Sequence, residues 1–190
     1  MKVLVACEFS GTVRDAFIAQ GHDAISCDLL PTDKEGPHYQ GDVFDIIQDG
    51  FDLMIAHPPC TYLCNSGVVW LYRDYTRFSK MCDGADFFKK LLNATIPRIC
   101  IENPIMHRYA KDLISIEQTQ VVQPWMFGHG ETKATCLWLK GLPMLKPTRV
   151  VTGREPRLHK LPPSKDRWKL RSTTYTGIAD AMAKQWGYLP

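Results

Sequence analysis

The stretch DLMIAHPPCTYLCN, residues 52–65, ends an apolar run with two prolines, Pro58 and Pro59, and sets Cys60 directly behind them. His57, Tyr62 and Cys64 lie close by. Forty-two residues after Cys60, a second apolar run, RICIENP, delivers Glu102 and Asn103 ahead of another proline. A cysteine attacks through its thiolate, which positive or hydrogen-bonding surroundings and partial exposure favour. A carboxyl such as that of Glu102 can hydrogen-bond the ring nitrogen and amino group of a heterocycle. Together the two would activate a pyrimidine: the sulfur adds to carbon 6, the acid stabilises charge at nitrogen 3, and carbon 5 becomes nucleophilic. Singly, each has a plainer role, Cys60 as a small turn residue and Glu102 as a salt-bridged surface acid. Their position behind neighbouring apolar runs is what favours chemistry. Cys60 and Cys64 also have C-x3-C spacing, but zinc would need two further ligands. No second Cys or His pair of suitable spacing exists, so no metal is expected.

The elements that must position these residues are legible in the hydrophobic pattern. KVLVAC, DAISCDLLP, FDLMIAHPP and RICIENP read as buried strands, the last two cut off by prolines that cannot continue a ladder. TVRDAFIAQG, GADFFKKLLNA and GIADAMAKQW read as helices, the first with a glycine stop at Gly21. A polar, aromatic loop separates HPPC from the second helix. QVVQPWMFG and ATCLWLKGLP read as later strands close enough to pair antiparallel. The alternation gives an α/β fold with a mostly parallel sheet and an antiparallel strand pair near the C-terminus. Polar residues follow the carboxyl end of each early strand: Glu8 to Thr12, Asp28, His57 to Cys60, and Glu102 with Asn103. That edge of an open α/β sheet is where ligands bind.

The chain of 190 residues is expected to form a single domain, residues 1–190, with a basic excursion over about 144–172. Its net charge of +3 is unevenly spread. Residues 128–175 carry 11 Lys and Arg against 3 acids, a balance of +8, while the remainder carries 12 against 17. A basic third on a slightly acidic body points to a polyanionic partner. The seven cysteines are odd in number and irregular in spacing, which speaks against a disulfide framework and for a reducing, cytoplasmic setting. No run reaches the roughly 18–20 apolar residues of a membrane span. Trp125, Trp138 and Trp186 read as core, and His22, His107, His129 and His159 as surface or helix-face residues.

The first strand-to-helix turn, CEFSGTVRDAF, holds one glycine and so fits neither a dinucleotide fingerprint nor a phosphate loop. Its glycine lets the backbone approach a ligand. Asp28 is placed to accept from ribose hydroxyls, and Asp42 in GDVFDI could accept from an adenine amino group. Each acid alone reads more simply as a turn or helix cap. Ribose and adenine without a pyrophosphate loop point to S-adenosylmethionine.

These segments, in this order, resemble the DNA cytosine-5 methyltransferase family, here as a short, phage-type member. FSGTVRDAF resembles its opening Phe-x-Gly-x-Gly segment, with Val13 where the second glycine would come, CDLLP its ribose-binding strand end, and GDVFDI its adenine-contacting turn. PPC resembles its nucleophile motif, CIENP its Glu-Asn-Val segment, and TYTGIADAMAKQWG its closing segment. The likeness covers about residues 3–104 and 171–188. It implies a Rossmann-like, S-adenosylmethionine-dependent methyltransferase fold acting on DNA, with Cys60 as nucleophile and Glu102 holding nitrogen 3. Asn103 would brace the Glu102 loop. Phe9, Ser10, Gly11, Asp28 and Asp42 would line the cofactor site, and Gly177 and Ile178 would close it. A ring carbon inside a duplex is reached only by base flipping. Phosphates would meet Arg73 and Arg77 in the loop after Cys60, and Lys133, Arg154, Arg157, Lys165, Arg167 and Arg171 in the basic segment.

The chain departs from that family in three places. Thr61 stands where Gln would follow the cysteine, a large target recognition domain is missing, and Gln-x-Arg-x-Arg has no counterpart beyond Arg171. HPPC also resembles the Asp/Asn/Ser-Pro-Pro-aromatic motif of the exocyclic amino methyltransferases. There no covalent adduct forms, and Tyr62 would supply the stacking ring. A further alternative is an inactive module that binds DNA or a host protein.

Overall fold

The computed structural model describes residues 1–189. Seven strands form one sheet: β1 (Lys2–Ala6), β2 (Asp23–Asp28), β3 (His38–Gln40), β4 (Leu53–Ala56), β5 (Arg98–Pro104), β6 (Gln120–Val122) and β7 (Thr135–Lys140). Their order is β3-β2-β1-β4-β5-β7-β6. The first five are mutually parallel, and β7 runs antiparallel to both β5 and β6. This is the mostly parallel α/β architecture expected, with the antiparallel pair where it was placed.

Strand alternation sorts the side chains between two layers. Val3, Val5, Leu53 and Ile55 face helices α1 (Thr12–Ala19) and α6 (Thr176–Trp186). Leu4, Ala6, Met54, Ala56, Ile99 and Ile101 face α2 (Thr76–Leu92) and α3 (Arg108–Ile114). α1 and α6 also pack on each other across the centre of the sheet. Because both faces are covered, the central strands are apolar on both sides, which is why they read as continuous runs.

Several elements differ from expectation. β3 lies within a stretch too short and polar to read as a strand; it forms because His38 to Gln40 pair with Ser26 to Asp28. The segment after Cys60 is a 3-10 helix over Asn65–Tyr72 that leads into α2 at Thr76, well before Gly84. α3 was not anticipated. The excursion runs alongside residues 125–132 through bonds such as Val151 N to Trp125 O and Glu155 N to Gly130 O. It then forms two short helices, α4 (Arg157–Lys160) and α5 (Arg167–Ser172). His22 and His107 are buried, not superficial: His107 caps α3 by accepting from Ala110 N at 3.1 Å. Trp138 and Trp186 are core residues, whereas Trp125 is only half-buried beneath Arg154. No helix of the described residues is long and apolar enough to cross a membrane.

Candidate active site

The sheet register builds the site. Cys27, Ala6, Ala56 and Ile101 are aligned neighbours in β2, β1, β4 and β5. One residue further on, Asp28, Cys7, His57 and Glu102 therefore stand in a row across the carboxyl edge. β4 stops at Ala56, since Pro58 and Pro59 have no N–H to give. β5 continues to Pro104 because β7 pairs with it on the other side, Glu102 opposite Leu137 and Asn103 opposite Cys136. Glu102 and Asn103 thus lie inside a strand, not in the loop after it.

The overhang puts His57 Nδ1 2.8 Å from Glu102 Oε2, with both side chains nearly enclosed at 12% and 9% exposure. Burial by itself would raise the Glu102 carboxyl. The hydrogen bond from His57, the charge of Lys133, the His57 charge and the Thr174 hydroxyl outweigh it and bring the carboxyl down to about 2. Burial would likewise lower His57, but the hydrogen bond and charge of Glu102, with Glu8 behind it, raise it above the ordinary range. Each partner thus favours the charged form of the other. His57 Nε2 is buried without a partner, a ring nitrogen available to a ligand. Asn103 Nδ2 donates to Pro58 O at 3.0 Å, so Asn103 braces the loop that carries Cys60 and leaves its own Oδ1 unpartnered.

Cys60 is half-buried and opens a tight turn, its carbonyl accepting from both Leu63 N and Cys64 N at 3.0 Å. The turn brings the two sulfurs together. The hydrogen bond to Cys64, then burial, then the charges of Cys64 and Glu102 push the Cys60 thiol well up. Cys64 moves the other way. The bond from Cys60 favours its thiolate, burial opposes this, and Ser66 Oγ at 3.1 Å with the Ser66 and Gly67 backbone bring it down to about 5. Within the pair the hydrogen bond favours the proton on Cys60 and the charge on Cys64.

On the other side of the row, buried Glu8 organises the first turn. Its carboxylate accepts from Val13 N at 2.7 Å, Ser10 Oγ at 3.1 Å and Arg14 N at 3.2 Å, capping α1. Gly11 has φ +66°, and a Cβ there would lie 2.5 Å from the Arg14 guanidinium. Arg14 is fully buried and donates to Ser26, Thr32, Lys34, Glu35 and Pro37, fixing the loop after β2. Phe9 is covered by Trp168 of α5 at 5.4 Å between ring centroids, and Lys169 pairs with Asp33 at 2.9 Å. The basic excursion thereby returns to the first turn. Asp28 accepts from Leu30 N at 2.9 Å and Asp42 from Phe44 N at 3.0 Å, so both acids do serve as turn caps. They also converge: together they add to the burial that drives the Cys7 thiol up.

Gly177 and Ile178 do not sit in this row. Gly177 packs on the Phe127 carbonyl and donates from its N–H to His129 Nε2 at 3.0 Å, and Ile178 is core. Thr174 is the residue of that segment that reaches Glu102.

Of the cations, Lys133 lies at the site itself and acts on Glu102, His57 and Cys60. Arg77 stacks over Tyr62 at 4.8 Å and donates to Thr61 O, while Arg73 lies over Trp70 at 5.3 Å. Arg154 covers Trp125 at 3.8 Å, and Arg157 pairs with Glu131 at 2.9 Å. Lys165 is exposed, and Arg167 and Arg171 are half-buried. Sequence reasoning set Glu8 at the strand edge and Cys64 beside Cys60 without giving either a role, and missed Arg14 and Thr174 as parts of the site.

No protein-family model matches the chain, and no curated protein matches it. Among solved structures, 55 chains match. One is a protein assigned as a DNA modification methyltransferase encoded within an E. coli prophage. It is 15% identical with a TM-score of 0.49, over 80% of this chain and 52% of that one. Another is the Entamoeba histolytica methyltransferase EhMeth, 14% identical with a TM-score of 0.48, over 80% of this chain and 57% of that one. The chain spans between half and three-fifths of the length of these two structures.

Proposed function

We propose that this chain is an S-adenosylmethionine-dependent DNA methyltransferase that modifies carbon 5 of cytosine through a covalent adduct of Cys60. The observation that carries the reading is the juxtaposition of the Cys60 turn with the buried His57–Glu102 pair at one strand edge, locked by the Asn103–Pro58 hydrogen bond. The first turn fits the cofactor. Gly11 holds a left-handed conformation that lets the first turn pack against Arg14, the residue that fixes the loop after Asp28. Asp28 and Asp42 each spend one oxygen on a backbone N–H and keep others for ribose hydroxyls and an amino group. When bound, S-adenosylmethionine supplies an electrophilic methyl group.

The residues of the chain do the rest. As the Cys60 sulfur adds to carbon 6, its proton passes to the neighbouring Cys64 thiolate. Nitrogen 3 gains a proton from Glu102, which draws it from His57 across their 2.8 Å bond. The ring then carries nucleophilic character at carbon 5. After methylation that carbon gives up its proton to water, the sulfur–carbon bond breaks as Cys60 takes its proton back from Cys64, and nitrogen 3 returns its proton through Glu102 to His57. Lys133 and Thr174 keep Glu102 oriented throughout.

Transfer to an exocyclic amino group is favoured by the surroundings of Cys60, whose hydrogen bond to Cys64 and burial push its thiol up. Against it, the Pro58 carbonyl that would receive the amino hydrogen already accepts from Asn103. Incubation of protein, S-adenosylmethionine and DNA, followed by digestion and mass spectrometry of the nucleosides, separates the two. 5-Methylcytosine that disappears in Cys60→Ser is expected. N4-methylcytosine or N6-methyladenine that survives Cys60→Ser would overturn the carbon-5 reading.

A further inference from the structure

The segments that follow Cys60 and Glu102 are zipped together. Asn65 N donates to Ile105 O at 3.1 Å, His107 N to Leu63 O at 3.0 Å, and His107 Nε2 meets Tyr62 O at 3.0 Å. Their outer side is aromatic and unburied. No residue of the 3-10 helix over Asn65–Tyr72 is buried, Trp70 is 48% exposed, Tyr72 72% and Tyr75 95%. The Tyr72 and Tyr109 hydroxyls are hydrogen-bonded, which fixes those two rings edge to face. Cations are interleaved: Arg73 over Trp70, and Arg77 and Lys80 over Tyr62. Arg108, beside Tyr109 at the start of α3, is exposed. Asp74, the acid among them, is consumed in holding Thr76 N and Oγ1 at 3.0 and 2.7 Å, and Asp112 stands 3.8 Å from Arg108.

Trp, Tyr and Arg also fill the centres of protein–protein interfaces, but Lys is depleted there, and this face sets Lys80 beside Arg77 over Tyr62. Rings alternating with cations instead match the stacking platforms and phosphate contacts that hold unpaired nucleotides. Bases stacked and paired in a duplex cannot present their faces to such rings. We propose that this surface binds single-stranded DNA, with unpaired bases beside the target stacked on Trp70, Tyr72 and Tyr75 and their phosphates met by Arg73, Arg77 and Lys80. The proposal rests on the methyltransferase reading for the identity of the target but not for the binding itself.

The test is fluorescence anisotropy of the whole protein with a labelled oligonucleotide, single-stranded and as its duplex, at low and moderate salt. The single strand should bind at least about 10-fold more tightly, and Trp70→Ala and Tyr75→Ala should each weaken it about 5- to 100-fold, the range for a lost base–aromatic stack. Duplex affinity should not change in these variants. Tyr75 is almost fully exposed, so Tyr75→Ala should melt as wild type does, and its loss of binding then reads on the surface alone. Equal or tighter duplex binding, unchanged single-strand binding in both variants, or a wild-type dimer that either variant dissociates in sedimentation would overturn the proposal. Methyl transfer is scored separately. Single-strand binding without methylation counts against the catalytic reading alone, and methylation of duplex without a single-strand preference counts against this one alone.

Discussion

The charge pair between His57 and Glu102 couples the site to the stability of the whole protein, and Glu102→Gln should uncouple them. In the folded protein the Glu102 carboxyl titrates at about 2 against an ordinary 4.5. At about 1.4 kcal/mol for each tenfold change in the ionisation constant, the fold favours the ionised form by about 3 kcal/mol. The folded value lies below the unfolded one, so this contribution is complete above pH 4.5 and drains away as pH falls towards 2. His57 runs in the opposite sense. Its folded value lies above the ordinary 6.5, so its share is complete below pH 6.5 and is lost as pH rises through the folded value. The pair is therefore fully effective between about 4.5 and 6.5. Within that window Glu102→Gln keeps the shape and removes the charge, and should lower the melting temperature by about 6–12 °C, taking about 2–4 °C per kcal/mol for a chain of this size. Thermal melts by circular dichroism across the acid and neutral range, with wild type and variant compared at each pH, measure this. The difference between the two should shrink steadily in acid. A difference that stays constant with pH, or that never exceeds about 1 °C, would refute the assignment of the acid limb to this pair.

Three further outcomes follow from the geometry. Gly177→Ala would set a Cβ 1.9 Å from the Phe127 carbonyl oxygen, a contact between two backbones with no flexible end to yield, and should cost about 3 kcal/mol or more by urea denaturation. Gly11→Ala combines a φ of +66° with a clash on buried Arg14, and should cost about 1–2 kcal/mol while weakening S-adenosylmethionine binding in calorimetry. Mild oxidation with diamide should join Cys60 and Cys64, since one sulfur is held as thiolate beside the other. Mass spectrometry should show the loss of two hydrogens, methyl transfer should stop and return with reductant, and Cys64→Ser should resist the treatment.

Much of the frame was legible because the central strands are buried on both faces. KVLVAC, DAISCD, DLMIA and RICIEN read as continuous apolar runs, and each hands over to polar residues at the same edge. What was hidden rests on contacts between distant positions. Nothing in the spacing of His57 and Glu102 announces that the register of β4 and β5 makes them partners, and so an acid expected free to grip a base is found already paired. His38 to Gln40 form a strand only because β2 offers them a ladder. Arg14, a charge within the first helix, is fully buried, because the loop after β2 folds over it and turns several carbonyls inward. Asp28 and Asp42 carried two readings, and the cap reading is met in full by their hydrogen bonds while their remaining oxygens stay available. Gly177 was chosen for its place in a motif, but backbone crowding at Phe127 is what requires glycine there.

The packing of α6 on α1 has a consequence for the order in which the chain folds. β1 lies in the interior of the sheet, yet one of its faces is completed only by residues 176–186, far along the chain from it. Until that helix arrives, Val3, Val5, Leu53 and Ile55 have no cover on that side beyond α1. The contacts that close the layer join positions about as far apart as the chain allows, such as Tyr188 Oη with Gln20 O at 2.8 Å. Loops of that length are entropically costly to close and slow to find. A nascent chain would carry an uncovered apolar sheet face until α6 has been made and docks, a period in which it is open to chaperones and to aggregation.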